Sequence, residues 1–392
     1  MHVGLYTESF PPLVDGVAQA VQNYAKYLNR ICDVTVVAPA YKNVVDHSDY
    51  PIFRYQSLPT GSKMEYRAGN PFNPETLHTL REQRFDIIHT HAPFASAILA
   101  KNTNRRRPKA PVILTYHTRY EVDIITRITN RAFRKIALQF LLDNLNAMDE
   151  IWAVTDTCGE ALRHVGYQGA YMVMENGTDF AYGKAPEEKV LQLREAYSLD
   201  DESFVFLYVG RMMWYKNIRL TLDALKLAKE RKLSFKMFMI GPGAEVKEIQ
   251  AYAAEIGLGD DIIFTGPIFD REYLRVFYSM ADMFLFPSTY DTSGIVVKEA
   301  AACDCPTLLI KGSCAAEGAV HDLSAFLAEE ETAECCAEAL LRACDSRDNL
   351  KDVGGQAGKL LYLSWKTAVQ RAYAQYETIL QGWSDKRQQR IG

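Results

Sequence analysis

Short runs of β-branched and aromatic residues alternate with longer helical patterns along almost the whole chain. This alternation restricts the fold more than any other feature of the sequence. Apolar runs near 2–5, 34–37, 52–55, 86–88, 112–115, 150–153 and 171–174 are separated by helix-period stretches near 17–29, 74–83, 94–104, 121–147 and 157–164. A second series follows, with strands near 204–209, 236–240, 262–264, 283–286 and 306–310 and helices near 217–231, 244–256, 270–280, 294–303 and 332–344. Such alternation builds right-handed βαβ units and parallel sheets. At 392 residues the chain exceeds one ordinary core. Two series therefore imply two doubly wound α/β domains facing each other, residues 1–180 and 181–364. The segment 177-GTDFAYGKAPEEK-189, rich in Gly, Pro and charge, is the natural joint.

Composition removes several classes. With 48% hydrophobic and 24% charged residues the chain has a globular make-up, and no run reaches the ~18 apolar residues of a membrane span. The opening 2-HVGLY-6 turns polar at once, unlike a signal peptide, so a cytoplasmic location is expected. The eight cysteines show no CxxC spacing. They read as reduced structural thiols rather than metal ligands.

In open parallel sheets, ligands bind beyond the carboxyl ends of the strands, and the informative residues lie there. After the first strand comes 6-YTESFPPLVDGVAQAV-21. Pro11-Pro12 forces an extended loop, and Asp15-Gly16 leads into a helix whose free N–H groups can hold an anion. Gly16 allows close approach to the backbone, although a plain helix cap by Asp15 explains the same pair. After 204–209 comes 210-GRMMWYKN-217, where Arg211 and Lys216 with a helix dipole can clamp a diphosphate. It is not a Walker loop, and no G-x-G-x-x-G follows any strand, which argues against nucleoside triphosphatases and dinucleotide folds. The turn Gly266-Pro267-Ile268 offers backbone polar groups to a flat base edge. In 287-PSTYDTSGIVVKEA-300, the N–H groups of Ser293, Gly294, Ile295 and Val296 open a helix. Glu299 follows about one and a half turns later, suited to accept from vicinal hydroxyls such as those of a ribose. Asp291, on the turn, reaches a different part of the same ligand.

Together these features resemble the retaining glycosyltransferases of family 4, which have the GT-B fold of two Rossmann-like domains facing a deep interdomain cleft. The resemblance rests on the two acids separated by seven residues, the Arg211…Lys216 loop and the proline–glycine loop ending at Gly16. It also rests on 175-ENGTD-179 and on 364-SWKTAVQRAYAQYETIL-380, similar to a helix that in this family crosses back to the N-terminal domain. A C-terminal helix of about 365–392 is thus expected to pack there. One departure stands out: the first acid is usually Glu and here is Asp291. The resemblance implies a nucleotide-diphosphate sugar as donor, UDP-glucose or UDP-galactose, and no cofactor. Arg211 and Lys216 would hold the diphosphate, Glu299 the ribose and the Ile268 backbone the base. Asp291 and the amides of Ser293–Val296 would meet the sugar. His117 of 114-LTYHTRYE-121 corresponds to a residue near the sugar, while His89 and His91 are ordinary packing candidates. Fixed cations would replace a metal, and retention would follow from same-face attack, the departing phosphate oxygen taking the acceptor's proton.

The strings 89-HTHAPF-94 and 116-YHTRYE-121 resemble bacterial transferases that glycosylate diacylglycerol or related lipids. In the window 101–135, ten Lys and Arg face only Glu121 and Asp123. Within 124-IITRITNRAFRKIALQFLLDNL-145 cations and apolar residues recur at helical spacing, as in an interfacial helix, or as in a core helix with a basic outer face. A lipid acceptor at an anionic membrane surface is the expectation, with a peripheral cytoplasmic location and no nucleic-acid partner. A soluble saccharide acceptor, an inactive sugar-nucleotide-binding protein and an epimerase are the alternatives.

Overall fold

A computed structural model describes residues 1–13, 15–60, 67–105 and 109–388 of the protein. Arg106 and Arg107 of the basic window, and residues 389–392 of the expected C-terminal helix, lie outside the described residues. The chain forms two compact units, one of Met1–Asn176 with the chain from Trp365 onward, the other of Gly177–Ser364.

The first unit runs β1 (His2–Tyr6), α1 (Gly16–Leu28), β2 (Asp33–Pro39), β3 (Ile52–Tyr55), β4 (Ser57–Pro59), β5 (Arg67–Gly69), α2 (Pro74–Glu82), β6 (Ile87–Thr90), α3 (Ala95–Thr103), β7 (Val112–Tyr116), α4 (Tyr120–Arg127), α5 (Arg131–Leu145), β8 (Glu150–Ala153), α6 (Asp156–His164) and β9 (Met172–Val173). Seven strands make a parallel sheet in the order β3-β2-β1-β6-β7-β8-β9, and β4 and β5 form an antiparallel pair. Every residue of β6 and β7 is buried, as expected of strands covered by helices on both faces. After β3 the order jumps back to place β6 beside β1. That switch point opens a crevice between the loops following β1 and β6.

The second unit runs α7 (Glu187–Ala196), β10 (Phe204–Val209), α8 (Ile218–Glu230), β11 (Phe235–Ile240), α9 (Val246–Glu255), β12 (Ile262–Gly266), α10 (Arg271–Met280), β13 (Met283–Leu285), α11 (Ile295–Ala302), β14 (Thr307–Ile310), β15 (Phe326–Ala328), α12 (Ala333–Cys344) and α13 (Arg347–Leu360). Its parallel sheet is ordered β12-β11-β10-β13-β14-β15, so the switch point falls between β10 and β13. The loops after these two strands carry Arg211, Lys216 and Asp291. The last helix, α14 (Trp365–Gln388), belongs to the first unit. There Tyr376 stacks on Trp152 at 5.4 Å, and Trp383 Nε1 donates to the Lys109 carbonyl at 2.9 Å.

Three local readings need correction. The expected helix 121–147 is two helices: Ile128 is extended, and Asn130 caps α5 by accepting from the N–H groups of Ala132 and Phe133 at 2.9 and 3.2 Å. An Asn side chain competes for backbone donors inside a helical pattern and here restarts it. The joint 177–189 overlaps α7, whose first turn carries Glu187 and Glu188, a charge placement that suits a helix N-terminus. Helix α13 was not expected, since its 353-VGGQAG-358 carries three glycines. Packing demands one of them: a Cβ on Gly354 would lie 2.2 Å from the Asp304 carbonyl oxygen.

Candidate active site

At the switch point of the second sheet, β10 ends and the chain turns through Gly210 into a 3-10 turn at Trp214–Lys216. Asn217 takes the left-handed conformation (φ 59°) and starts α8. Its side-chain amide donates to the Pro287 carbonyl at 2.9 Å and to Glu331 Oε1 at 2.6 Å, tying this loop to the one after β13. The tie positions Lys216. Its ammonium is buried, bonds to the Asp291 carboxylate, and lies 5.5 and 5.3 Å from the ring centres of Tyr215 and Tyr290. Ser288 Oγ donates to the other carboxylate oxygen at 2.5 Å. Asp291 is therefore held on both oxygens, by Lys216 on one and by Ser288 on the other. Arg211 is half-buried, and its carbonyl accepts from Tyr208 Oη at 3.2 Å.

The loop can lie this close only because of two glycines that the sequence analysis passed over. A Cβ on Gly241, whose φ is +142°, would sit 2.0 Å from the Gly210 carbonyl oxygen, and one on Gly243 would sit 2.2 Å from that of Met212. The available signal was 241-GPG-243 directly after a strand. Gly266 (φ 76°) turns the chain out of β12, Ile268 packs on the core of this unit, and Phe269 stands exposed beside it.

Helix α11 begins at Gly294 (φ 50°, ψ 42°), where any Cβ would come 3.1 Å from Ala315 Cα. A left-handed cap costs glycine nothing. The N–H groups of Ile295 and Val296 fall in the first helical turn, and the cap residue Gly294 has no side chain to bond them, leaving a donor-rich terminus suited to an anion or a hydroxyl. Glu299, further along α11, is 3% exposed. Arg271 Nη2 donates to its Oε1 at 2.5 Å and Tyr278 Oη to its Oε2 at 2.9 Å. Burial pushes the Glu299 carboxyl above its usual range, with the Arg271 charge opposing that shift. Arg271 also forks onto Asp179 through Nε at 3.0 Å and Nη2 at 2.7 Å, its guanidinium 4.4 Å from the Phe180 ring centre. Burial disfavours its charge, but Glu299 and Asp179 outweigh that and raise its pKa. Sequence reasoning missed Arg271 because the first residue of an amphipathic helix looks like an ordinary solubilising cation.

In the first unit, Asp15 caps α1: Oδ1 accepts from Ala18 N at 2.8 Å, and Oδ2 from Ser9 Oγ at 2.5 Å. The capping role weighed for it is present. A Cβ on Gly16 would meet nothing within 4 Å, so packing within the protein does not require glycine there. His117 Nε2 lies 2.9 Å from His91 Nδ1. Burial pushes His117 down to about 3, although the Asp15 charge pulls the other way, and His91 is likewise held well below its ordinary value. Both imidazoles are neutral at neutral pH, so a single shared N–H joins them. Next to them His89 bonds to Tyr376 Oη and Thr115 Oγ1, each at 2.6 Å, tying α14 to the histidine cluster. Among the described residues, no three His, Cys, Asp or Glu side chains are gathered to hold a metal ion. The candidate residues thus form two groups, Asp15, Gly16 and His117 in the first unit and the remainder in the second.

Comparisons with known proteins bear on the family and the fold. Residues 190–360 match the glycosyl transferases group 1, and residues 14–182 match Glycosyltransferase Family 4. An alpha-monoglucosyldiacylglycerol synthase of Streptococcus pneumoniae is 26% identical over 79% of this chain and 70% of that protein. The sulfoquinovosyl transferase SQD2 of Arabidopsis thaliana is 22% identical over 100% of this chain and 76% of its own. Among solved structures, HepE of Anabaena in complex with UDP superposes with a TM-score of 0.78 at 18% identity, covering 96% of this chain and 100% of that one. Sucrose-phosphate synthase of Thermosynechococcus elongatus gives 0.75 at 20%, covering 97% and 99%.

Proposed function

The chain belongs to the group 1, family 4 glycosyltransferases and has their GT-B fold, and from that premise we propose that it moves a hexose from UDP-glucose or UDP-galactose to a membrane lipid. Diacylglycerol or a glycolipid built on it is the acceptor. One observation carries the donor half: a buried ammonium, Lys216, and a buried carboxylate, Glu299, are fixed on the loops and helix that flank one switch point. A nucleotide-diphosphate sugar needs both, a cation for its phosphates and an acceptor for its vicinal hydroxyls.

In the proposed reaction the diphosphate meets Arg211 and Lys216, while the first N–H groups of α11 meet the sugar together with Asp291. The base edge meets the backbone at Ile268. As the bond from the anomeric carbon to the phosphate oxygen breaks, negative charge grows on the diphosphate, and these fixed positive groups stabilise it without a metal. The acceptor oxygen bonds to the same face of the anomeric carbon, its proton passing to the departing phosphate oxygen, so configuration is retained. Incoming phosphate competes with Asp291 for Lys216, freeing the carboxylate toward the sugar. His117, neutral through burial, hydrogen-bonds a sugar hydroxyl.

The lipid half draws on the pneumococcal relative and on the surface of α5. Phe133, Ile136 and Phe140 are 66%, 64% and 43% exposed on successive turns, with Ile125 of α4 exposed as well. Arg131 and Lys135 lie on the same helix, and a hollow of about 660 Å³ is lined by these cations with Arg134, Leu138 and Leu142. Exposed aromatic and aliphatic groups beside cations suit the headgroup boundary of an anionic bilayer, and the protein works there as a peripheral enzyme. Incubation with UDP-hexoses and vesicles containing diacylglycerol, followed by product masses, tests the whole. A hexosylated lipid supports it; turnover only with a soluble saccharide overturns the acceptor, and conversion of UDP-hexose without any acceptor overturns the transferase reading.

A further inference from the structure

A carboxylate has about four lone-pair positions. In Glu299 each oxygen spends one of them on the protein, Oε1 on Arg271 and Oε2 on Tyr278. Two remain, one per oxygen, which is the number two vicinal hydroxyls require. Resting on the reading of Glu299 as the acceptor for those hydroxyls, we propose that Arg271 is a positioning residue for donor binding, clamping the carboxylate so that its unused lone pairs meet them.

The clamp is built from three sides. Asp179 holds Nε and Nη2 of the guanidinium, fixing its plane, and Phe180 packs against its face. Nη2 is shared, so the same nitrogen that anchors Arg271 also aims Glu299. A lysine has one point charge and no fork, and cannot bridge two carboxylates in this fixed geometry. Electrostatics point the same way. The groups acting on Glu299 are Arg271 and Tyr278 of α10 and Asp179 of the segment entering the unit, with the Cys303 thiol nearby. Arg271 is the cation among them. Burial and Asp179 both favour the protonated acid, which would lose a lone pair to its own proton, and Arg271 opposes them.

The test is calorimetric titration of UDP-glucose across the neutral and weakly acidic range, over which its diphosphate diester does not ionise. R271Q should weaken binding about tenfold at neutral pH. It should also move the acid limb of the affinity profile to higher pH than in the wild type, because Glu299 then takes up its proton more readily. R271K, which keeps the charge without the fork, should return the acid limb toward the wild-type position while leaving affinity reduced. E299Q should bind weakly with no acid limb, and adding R271Q to it should change little. A merely structural role for Arg271 predicts otherwise: R271Q would weaken E299Q by the same factor as it weakens the wild type, and its acid limb would not move. Either result overturns the proposal. If E299Q itself binds as the wild type does, the assignment of Glu299 to the hydroxyls falls first.

Discussion

Replacing Lys216 by Met separates what this ammonium does for the fold from what it does for the donor. The side chain is 9% exposed and its partner Asp291 retains 24% side-chain exposure, with a second bond from Ser288. Removing one member of a fully buried pair costs about 3–5 kcal/mol. The water still reaching Asp291 and its bond to Ser288 reduce that here to about 1–3 kcal/mol of lost stability. For the donor, loss of a charge-assisted bond of about 1.5–3 kcal/mol weakens binding by roughly one to two orders of magnitude. The two effects part company in the double variant K216M/D291N, which removes the stranded charge while preserving a partner for Ser288. Its stability in urea should return most of the way to wild type, whereas its affinity for UDP by calorimetry should stay low. If K216M binds UDP normally, or if the double variant recovers affinity together with stability, Lys216 is not the diphosphate cation.

Asp291→Asn alone frees Lys216 for phosphate, so UDP affinity should hold or rise while hexosyl transfer falls; equal loss of both would make Asp291 a structural residue, and Asp291→Glu asks whether the longer acid raises turnover. His117 is neutral in the fold with a pKa pushed down to about 3 from 6.5, so the unfolded chain binds the extra proton between those values. Its contribution to stability is therefore full above about pH 6.5 and is lost as pH falls toward 3, at up to about 1.4 kcal/mol per pH unit. His117→Gln should flatten the pH dependence of urea unfolding over that window, and an unchanged slope would contradict the neutral assignment. On α5, Arg134 donates through Nε and Nη2 to the Ile128 carbonyl, each at 3.0 Å, and serves the α4–α5 joint. Arg131 and Lys135 are the better charges to remove. R131Q/K135Q should weaken sedimentation with anionic vesicles by about 1 kcal/mol per charge, F133S/F140S should weaken it further, and both should spare UDP binding. Indifference of the wild type to anionic vesicles at low salt would remove the membrane docking.

The sequence by itself determined the α/β class and pointed to the strand ends as the places where a ligand would be sought. Period-2 and period-3.6 patterns are local, and a parallel sheet puts its ligands after strands whatever the rest of the chain does. Hence 210-GRMMWYKN-217 and 287-PSTYDTSGIVVKEA-300 were legible as loops of interest, and Glu299 as a candidate acceptor for hydroxyls, while its burial emerged only from the fold. Tertiary structure alone decided which charges meet. Lys216 and Asp291 are 75 positions apart and Arg271 and Glu299 are 28 apart, joined only because β13 crosses back beside β10. Strand order is set by packing across the whole sheet and leaves no mark in any local window. The same holds for Gly241 and Gly243, whose lack of a Cβ matters because a neighbouring loop lies within 2.2 Å of where it would stand. It holds too for His91 and His117, brought together by the adjacent strands β6 and β7. Their neutral state follows from burial, a property of the folded unit that no local stretch of sequence carries.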